Sequence, residues 1–311
     1  MNHQTQEVAK RSISFSELMT VIYVRVDDWY QKEWQGQHRD RRGVQAEFSD
    51  SEVLTLMLAH DYLPYPGERQ YIAHLKANYL SLFPKLVDHA QYNRRSRKLR
   101  YCLECFRRSL LIEMNAELES EVLLDTKPVP VMGYKRNKMR SDFLSSADYG
   151  VCASRKLQYF GYKLVMITSK QGLPLVYDLV PANTDERQAA ETVLDQVSGI
   201  TIIGDKGFIG KEWQWSQLIT TGNQIITPKR ANQLEQNPAS LDRWISSTRE
   251  RIEGAFHEIQ NTGRHLEHLH AKKVTGLVTR ICAKIASHLL RIWLRLYHFI
   301  DVQSFTVAIN P

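Results

Sequence analysis

The sequence predicts an α/β fold in which helices flank a mixed β-sheet, together with an all-α region at the N-terminal end. Two observations predict it. Apolar residues recur with helical spacing from residue 13 to about residue 120. From residue 121, short β-branched runs and helical patterns follow in the order strand, hairpin, helix, strand, strand, helix. This order is not a regular βαβ repeat, so we expect both parallel and antiparallel strands.

Composition and charge narrow the class of protein. The 311 residues are 43% hydrophobic and 24% charged, as in an ordinary globular protein. The formal net charge of +7 favours an anionic partner, with nucleic acid first among the candidates. The opening segment "MNHQTQEVAKRS" has no apolar signal core, which predicts a cytoplasmic protein without a membrane partner. Four cysteines are too few for a disulfide scaffold, and the pair Cys102 and Cys105 lacks the second pair of a zinc site.

The clearest helix start in the N-terminal region is "FSDSEVLTLMLAH". Ser49 and Glu52 have the spacing of a capping box, and Phe48 and Val53 that of a hydrophobic staple. A second helix is predicted near "NRRSRKLRYCLECFRRSLL", with its apolar face formed by Leu99, Leu103, Phe106 and Leu110. Five cations lie in its first eight residues. Their density suits a phosphate backbone, although a solvated helix face has the same composition.

The strand signals begin at "EVLLDT", which is predicted to end at Asp125. Two further runs, "LQYFGYKLVMITSK" and "GLPLVYDLVPA", are predicted to form a hairpin across Lys170–Leu173. A helix over "NTDERQAAETVLDQV" is expected to begin at a cap formed by Asn183 or Thr184. Strands are then predicted in "GITIIGDKGF" and "NQIITPKR", and helices over about 242–262 and 272–298.

Asp125 and Asp205 each follow an apolar strand, and functional groups gather at the carboxyl ends of strands in open α/β sheets. Two neighbouring carboxylates repel each other without a metal, and they are suitable ligands for magnesium. Each aspartate also has a purely structural interpretation. Asp125 could cap the turn around Lys127–Pro128, and Asp205 could form an Asx turn beside Gly207.

A third carboxylate comes from the helix "WISSTRERIEGAFHEIQNTG". At about 100° per residue, Arg249 and Glu253 lie along one edge of its apolar stripe, whereas Glu250 faces solvent. Glu253 can therefore reach from a packed helix to the edge of the sheet. Arg249, one turn earlier, can orient that carboxylate or contact a phosphate, but an ordinary surface pair has the same spacing.

Four segments of the chain resemble bacterial insertion-sequence transposases of the DDE class, which have an RNase H-like core. They are "LLDTKPVPV", "GDKGFIG", "RERIEGAF", and the N-terminal "SDSEVLTLMLA" with "FPKL" and "NRRSRKL". Within that class the chain is most similar to the family numbered nine-eighty-two among insertion sequences. The resemblance implies that Asp125, Asp205 and Glu253 are the catalytic, metal-binding residues. A related pattern often has a lysine seven residues beyond the glutamate, where this chain has Gln260, so no lysine contact to DNA is expected there.

The resemblance also implies a domain organisation and a reaction. Residues 1–118 would form a helical DNA-binding region, 119–265 the RNase H-like catalytic core, and 266–311 a helical extension packed on the core. Two Mg²⁺ ions, with Mn²⁺ as an expected substitute, would support cleavage of the element's ends and attack of the released 3′-OH on target DNA. Asp125 would bridge both ions, and Asp205 and Glu253 would each hold mainly one. The expected partner is double-stranded DNA, both the terminal inverted repeats and the target, bound by a homodimer in the synaptic complex.

Basic residues near these motifs are candidate phosphate contacts, although each could equally be a routine surface cation. They are Arg94, Arg95, Arg97, Lys98, Lys135, Arg136, Lys138, Arg140, Arg187, Lys206, Lys229, Arg230 and Arg249. Gly204 and Gly207 are expected to leave room for a phosphate beside Asp205. Two other functions remain open on the sequence: a metal-dependent DNA nuclease or resolvase of the same fold, and a non-catalytic DNA-binding protein.

Overall fold

The computed structural model describes residues 13–35, 46–136, 138–152, 156–300 and 302. The chain divides into two compact units. The helical unit comprises the described residues up to Leu110, together with Asn261–His265 and those from Thr279 onward. The sheet unit comprises Leu111–Gln260 and Leu266–Val278. In the described residues, no helix has both the length and the apolar character needed to cross a bilayer.

Helices build the first unit, as its apolar periodicity predicts. They are α1 (Phe15–Trp29), α2 (Asp50–Ala59), α3 (Glu68–Asn78), α4 (His89–Lys98), α5 (Arg100–Glu113) as far as Leu110, and α9 (Val274–His298) from Thr279 onward. The predicted capping box is confirmed. The side chain of Ser49 accepts a hydrogen bond from the amide of Glu52, and the side chain of Glu52 accepts one from the amide of Ser49. Phe48 and Val53 are both buried.

The basic segment forms two helices, where the sequence predicted one. Asp88 caps α4, and Leu99 interrupts the helical path before α5 begins. The apolar face was predicted correctly, because Leu99, Leu103, Phe106 and Leu110 are all buried. The prediction missed the interruption because Leu99 continues the same apolar stripe, so the periodicity alone does not reveal a break of one residue.

A buried ionic cluster lies inside the helical unit. Asp61 pairs with Arg264, whose Nη2 lies 2.9 Å from Oδ2 of Asp61, and with Lys284, whose Nζ lies 3.6 Å from Oδ1. Burial acts to raise the pKa of Asp61, but the charges of Arg264 and Lys284 outweigh it and lower the pKa to about 2. Burial lowers the pKa of the adjacent His60 to about 3, so its imidazole is neutral at pH 7.

The sheet unit is built on six strands. They are β1 (Glu121–Met132), β2 (Asp148–Cys152), β3 (Leu157–Ser169), β4 (Pro174–Pro181), β5 (Thr201–Ile203) and β6 (Gln224–Ile226). The order across the sheet is β2, β3, β1, β5, β6, and β4 pairs with the same edge of β3 as β2 does, further along the strand. Pairing is antiparallel among β1 to β4 and parallel from β1 to β5 and β6. This mixed sheet, with its central β1, is the predicted RNase H-like arrangement.

β1 does not end at Asp125, as the sequence suggested, but continues to Met132. From Val122 to Met132 it pairs with β3, with a register shift between Pro130 and Met132. β5 pairs with β1 only as far as Leu123. Beyond Leu123, no strand of the described residues pairs with that side of β1, so Pro128 and Pro130 are tolerated although they lack an N–H group. The interpretation of Asp125 as the cap of a turn at Lys127–Pro128 is therefore wrong.

The helices of the sheet unit are α6 (Glu186–Leu194), α7 (Lys211–Thr221) and most of α8 (Ala239–Asn261). The α6 cap is Asp185, which accepts a hydrogen bond from the amide of Arg187, and not Asn183 or Thr184 as predicted. One face of α6 packs on the sheet, and the buried residues of this core include Val122, Leu124, Ile167, Ala190 and Val193. The predicted hairpin is confirmed, with its turn completed by Gly172 at φ 83°.

Candidate active site

The parallel pairing of β1 with β5 brings Asp125 and Asp205 to the same level of the sheet. Leu123 lies opposite Ile203, Asp125 follows two residues later on β1, and Asp205 follows two residues after Ile203, the last residue of β5. Side chains alternate along β1, so Asp125 lies on the face opposite Leu124, away from the α6 core. Both aspartates are partly buried.

A backbone amide holds one oxygen of each aspartate. The amide of Thr126 donates to Oδ1 of Asp125 at 2.8 Å, and the amide of Gly207 donates to Oδ1 of Asp205 at 2.6 Å. Asp205 thereby caps the short turn Lys206–Phe208, so the Asx-turn interpretation of this residue is correct. Among the described residues, no hydrogen bond is made to Oδ2 of either aspartate. Capping a turn and offering an oxygen to a ligand are therefore compatible roles.

Helix α8 supplies the third carboxylate. Glu253 is 60% exposed and forms an i,i+4 ion pair with Arg249, with 3.6 Å between Oε1 and Nη2. Arg249 is only 22% exposed, and its Nε is buried without a hydrogen-bond partner among the described residues. On the same helix, Nη1 of Arg251 donates to the carbonyl of Lys170, which ties α8 to the β3–β4 hairpin.

The electrostatics of Asp125 connect these groups. Burial is the largest influence on the pKa of Asp125 and raises it to about 7. The charges of Asp205 and Glu253 raise the pKa further, whereas the Thr126 amide and the charge of Arg249 act in the opposite direction. Asp125 thus lies within electrostatic reach of both other carboxylates.

Comparison with protein families supplies the deciding observation. A family model described as the transposase DDE domain matches residues 117–290, more than half of the chain. The chain belongs to this transposase family. The matched span includes the strand that carries Asp125, the turn that carries Asp205 and the helix that carries Glu253. Comparison with curated proteins gives no match, and neither does comparison with solved structures.

DDE transposases generally use divalent metal ions. The donor chemistry of this site suits such an ion, because Asp125 and Asp205 offer the carboxylate oxygens that hard divalent cations prefer. A cation there would also relieve the repulsion that Asp205 exerts on Asp125. In the described residues, however, no three His, Cys, Asp or Glu side chains are close enough together to hold one ion. The charge of Glu253 raises the pKa of Asp125, but Glu253 does not complete a group of three ligands with the two aspartates.

Several of the predicted phosphate contacts lie around the turn that carries Asp205. Lys206 is exposed, and Nη2 of Arg230 donates to the Lys206 carbonyl at 3.3 Å. A Cβ atom on Gly210 would lie 3.1 Å from Nη1 of Arg187, which places this guanidinium beside the same loop. Lys229 is partly buried close to Arg230 in the chain. With Arg249 on α8, these side chains give the candidate site a basic border.

The predicted cations in the loop after β1 differ in exposure. Lys135, Arg136 and Arg140 are exposed. Lys138 is buried, and its ammonium donates to the carbonyls of Gly133 and Tyr134 and lies over the rings of Tyr134, Tyr149 and Phe160. Because carbonyls and aromatic rings already surround this charge, the structure gives no support to Lys138 as a phosphate contact.

Of the predicted cations of α4, two are exposed and two form contacts within the helical unit. Arg94 and Lys98 are exposed. Arg95 pairs with Asp50 at 2.7 Å and donates to the carbonyl of Phe48, and Nε of Arg97 donates to the carbonyl of Asn93. The predicted DNA-binding role therefore fits Arg94 and Lys98 better than Arg95, whose guanidinium is engaged within the helical unit.

The glycines around Asp205 do not leave the space that the sequence suggested. A Cβ atom on Gly204 would lie 2.8 Å from the ring of Phe208, and one on Gly207 would lie 2.9 Å from Oδ1 of Asp205. The turn itself fills this volume, and Phe208 is inserted into the α6 core. Both glycines are needed for the close packing of the turn. Gln260, seven residues beyond Glu253, donates to Oε1 of Glu267 at 3.0 Å.

The structure adds three polar residues that the sequence analysis missed. Glu186 accepts a hydrogen bond from the hydroxyl of Thr126 at 2.9 Å, and its other oxygen lies 3.0 Å from Nζ of Lys163. The sequence carries a weak signal for Glu186, since an acidic residue in the first turn of a helix is common for structural reasons alone.

Proposed function

We propose that this protein is the transposase of an insertion sequence, which binds the ends of its element and catalyses metal-dependent DNA cleavage and strand transfer. One observation carries the proposal. Within a chain of the DDE family, the parallel register of β1 and β5 supports a pairing of Asp125 with Asp205 at one level of the sheet, and the charge of Glu253 raises the pKa of Asp125. The related family numbered nine-eighty-two remains the proposed subgroup.

In this proposal Asp125, Asp205 and Glu253 hold the metal ions, Mg²⁺ or Mn²⁺ in its place. Bound divalent ions would lower the pKa of a water molecule and stabilise charge on the attacking and leaving oxygens of the phosphodiester. The chain's own part is to fix the two aspartates through the amides of Thr126 and Gly207. A DNA phosphate would compete with Glu253 for Arg249, whose Nε has no partner in the described residues.

The same proposal gives the exposed cations a common role. Lys206, Arg187 and Arg230 border the candidate site, and Lys135, Arg136 and Arg140 follow the strand that carries Asp125. Phosphate contacts by such side chains position a duplex without reading its sequence. Recognition of the terminal repeats would fall to the helical unit, and the synapsis of two ends to a homodimer.

The proposal is tested with purified protein, a labelled element end, a target plasmid and Mg²⁺. The element ends are found as short inverted repeats in the DNA that flanks the reading frame. Joined product supports the transposase. Cleaved product without joining would indicate a nuclease or resolvase, and a gel shift without either product would indicate a DNA-binding protein that has no catalytic activity.

The two exposed cations of α4 give a prediction for DNA binding. We expect the double variant R94Q/K98Q to bind DNA more weakly and with a smaller dependence on salt, because each lost phosphate contact removes about 0.9 from the slope of log K against log [salt]. Fluorescence anisotropy with labelled duplex from 50 to 200 mM salt measures this slope. R95Q is the matched control, since Arg95 is paired with Asp50. An unchanged slope in R94Q/K98Q would remove α4 from the DNA interface.

A further inference from the structure

Glu186, the first residue of α6, connects three parts of the sheet unit. Its Oε2 accepts a hydrogen bond from the hydroxyl of Thr126 on β1 at 2.9 Å. Its Oε1 lies 3.0 Å from Nζ of Lys163 on β3, and this ammonium also donates to the carbonyl of Thr184 just before the helix, at 2.6 Å. Lys163 therefore fastens the start of α6 to the sheet and balances the charge of Glu186.

The same side chain contacts the turn that holds Asp205. A Cβ atom on Gly207 would lie 3.0 Å from Cγ of Glu186, so the two residues are in close contact. Thr126 and Gly207 are also the residues whose amides bind Oδ1 of Asp125 and Oδ1 of Asp205. Both amides that fix the aspartates thus belong to residues that Glu186 touches directly.

We propose that Glu186 is a positioning residue, which holds Asp125 and Asp205 in the orientation that receives a divalent cation. The inference rests on the proposed function. Its physical basis is that metal ligands bind well only when their rotamers are fixed by neighbouring groups. Glu186 fixes the backbone at Thr126 and Gly207 and leaves Oδ2 of each aspartate available. Because Lys163 pairs with it, Glu186 adds this support without an unbalanced negative charge beside the site.

A purely structural role is the alternative, since an acidic residue in the first turn stabilises a helix by its interaction with the dipole. The two roles differ in what a variant changes. A structural residue affects unfolding, whereas a positioning residue also affects the affinity of the folded protein for metal. Mn²⁺ binding, measured by isothermal titration calorimetry in the absence of DNA, separates them, and melting temperatures recorded on the same samples report on folding.

We expect Glu186→Ala and Thr126→Val each to weaken Mn²⁺ binding by about 10-fold, in the range typical for residues that support metal ligands. The double variant should bind Mn²⁺ with the same affinity as the single variant that binds it less tightly. Both changes remove the same hydrogen bond between Glu186 and Thr126, so their effects should not add. Glu186→Gln should recover part of the affinity, since its amide oxygen can still accept the Thr126 hydrogen bond. Glu191→Gln is the matched control: it lies on the same helix, and its partner is Nε1 of Trp213, at 3.0 Å.

The outcomes distinguish this inference from the proposed function. If folded Glu186→Ala binds Mn²⁺ as tightly as wild type, the inference is overturned, whereas the proposed metal site is unaffected. Equal weakening by Glu191→Gln would also overturn it, because the effect would then come from any charge lost on α6. Wild-type protein that binds no Mn²⁺, or that binds it as well after Asp125→Asn, would refute the metal site and the positioning role together.

Discussion

Asp205→Asn is expected to abolish DNA cleavage while DNA binding and folding stay intact. If Asp205 holds metal, the loss should exceed about 100-fold, the upper range for residues that only support a metal ligand. An asparagine has nearly the same shape, and its amide oxygen can still accept the hydrogen bond from the Gly207 amide. Single-turnover cleavage of a labelled element end in Mg²⁺ measures the loss, and a gel shift with the same DNA measures binding.

This variant separates the two roles that Asp205 combines. Asp205→Ala removes both the charge and the cap of the Lys206–Phe208 turn, and loss of a cap costs about 1 kcal/mol. If capping were the important role, asparagine would retain activity and alanine would not. Asp178→Asn is the matched control, because Asp178 is a partly buried aspartate of the same sheet whose Oδ1 accepts the amide of its neighbour Leu179 at 2.7 Å. Substantial cleavage by Asp205→Asn would refute its role as a metal ligand.

The sequence could predict the features that depend on neighbours in the chain. The capping box of α2 and the β3–β4 hairpin are encoded by a few adjacent residues, and both are confirmed. The placement of Asp205 at the end of a short strand is equally local. The mixed sheet also followed from the sequence, because the order of strand and helix patterns restricts how strands can pair.

Other features depend on partners that are distant in the chain. β1 continues past Asp125 because β3 pairs with it as far as Met132, a contact that outweighs the two prolines. From the sequence alone, Lys138 is expected to be a surface cation. In the fold its ammonium lies over the rings of Tyr149 and Phe160, which are distant from it in the sequence. Glu186 became a candidate only when folding placed it beside Thr126 and Gly207, which lie 60 and 21 positions away in the sequence.

The second large effect is expected in the helical unit, where Asp61→Asn should lower the free energy of unfolding by about 3–5 kcal/mol. Asp61 is 3% exposed and is the carboxylate that balances both Arg264 and Lys284. Its replacement leaves two buried cations facing a neutral amide. Arg264→Met should lower the free energy of unfolding by less, because Asp61 then keeps Lys284 as a partner of opposite charge. Lys284→Met should lower it least, since this change leaves the Asp61–Arg264 pair intact.

Urea unfolding followed by circular dichroism measures this ranking, with Asp88→Ala as a control in which only an exposed helix cap is lost. The pH dependence has a definite sign. The pKa of Asp61 is lowered from 3.8 to about 2 on folding, so its contribution is fully present above pH 3.8 and is lost as the pH falls towards 2. The difference between wild type and Asp61→Asn should shrink over that interval. Equal stability of the two proteins at pH 7 would show that the ionic cluster does not stabilise the helical unit.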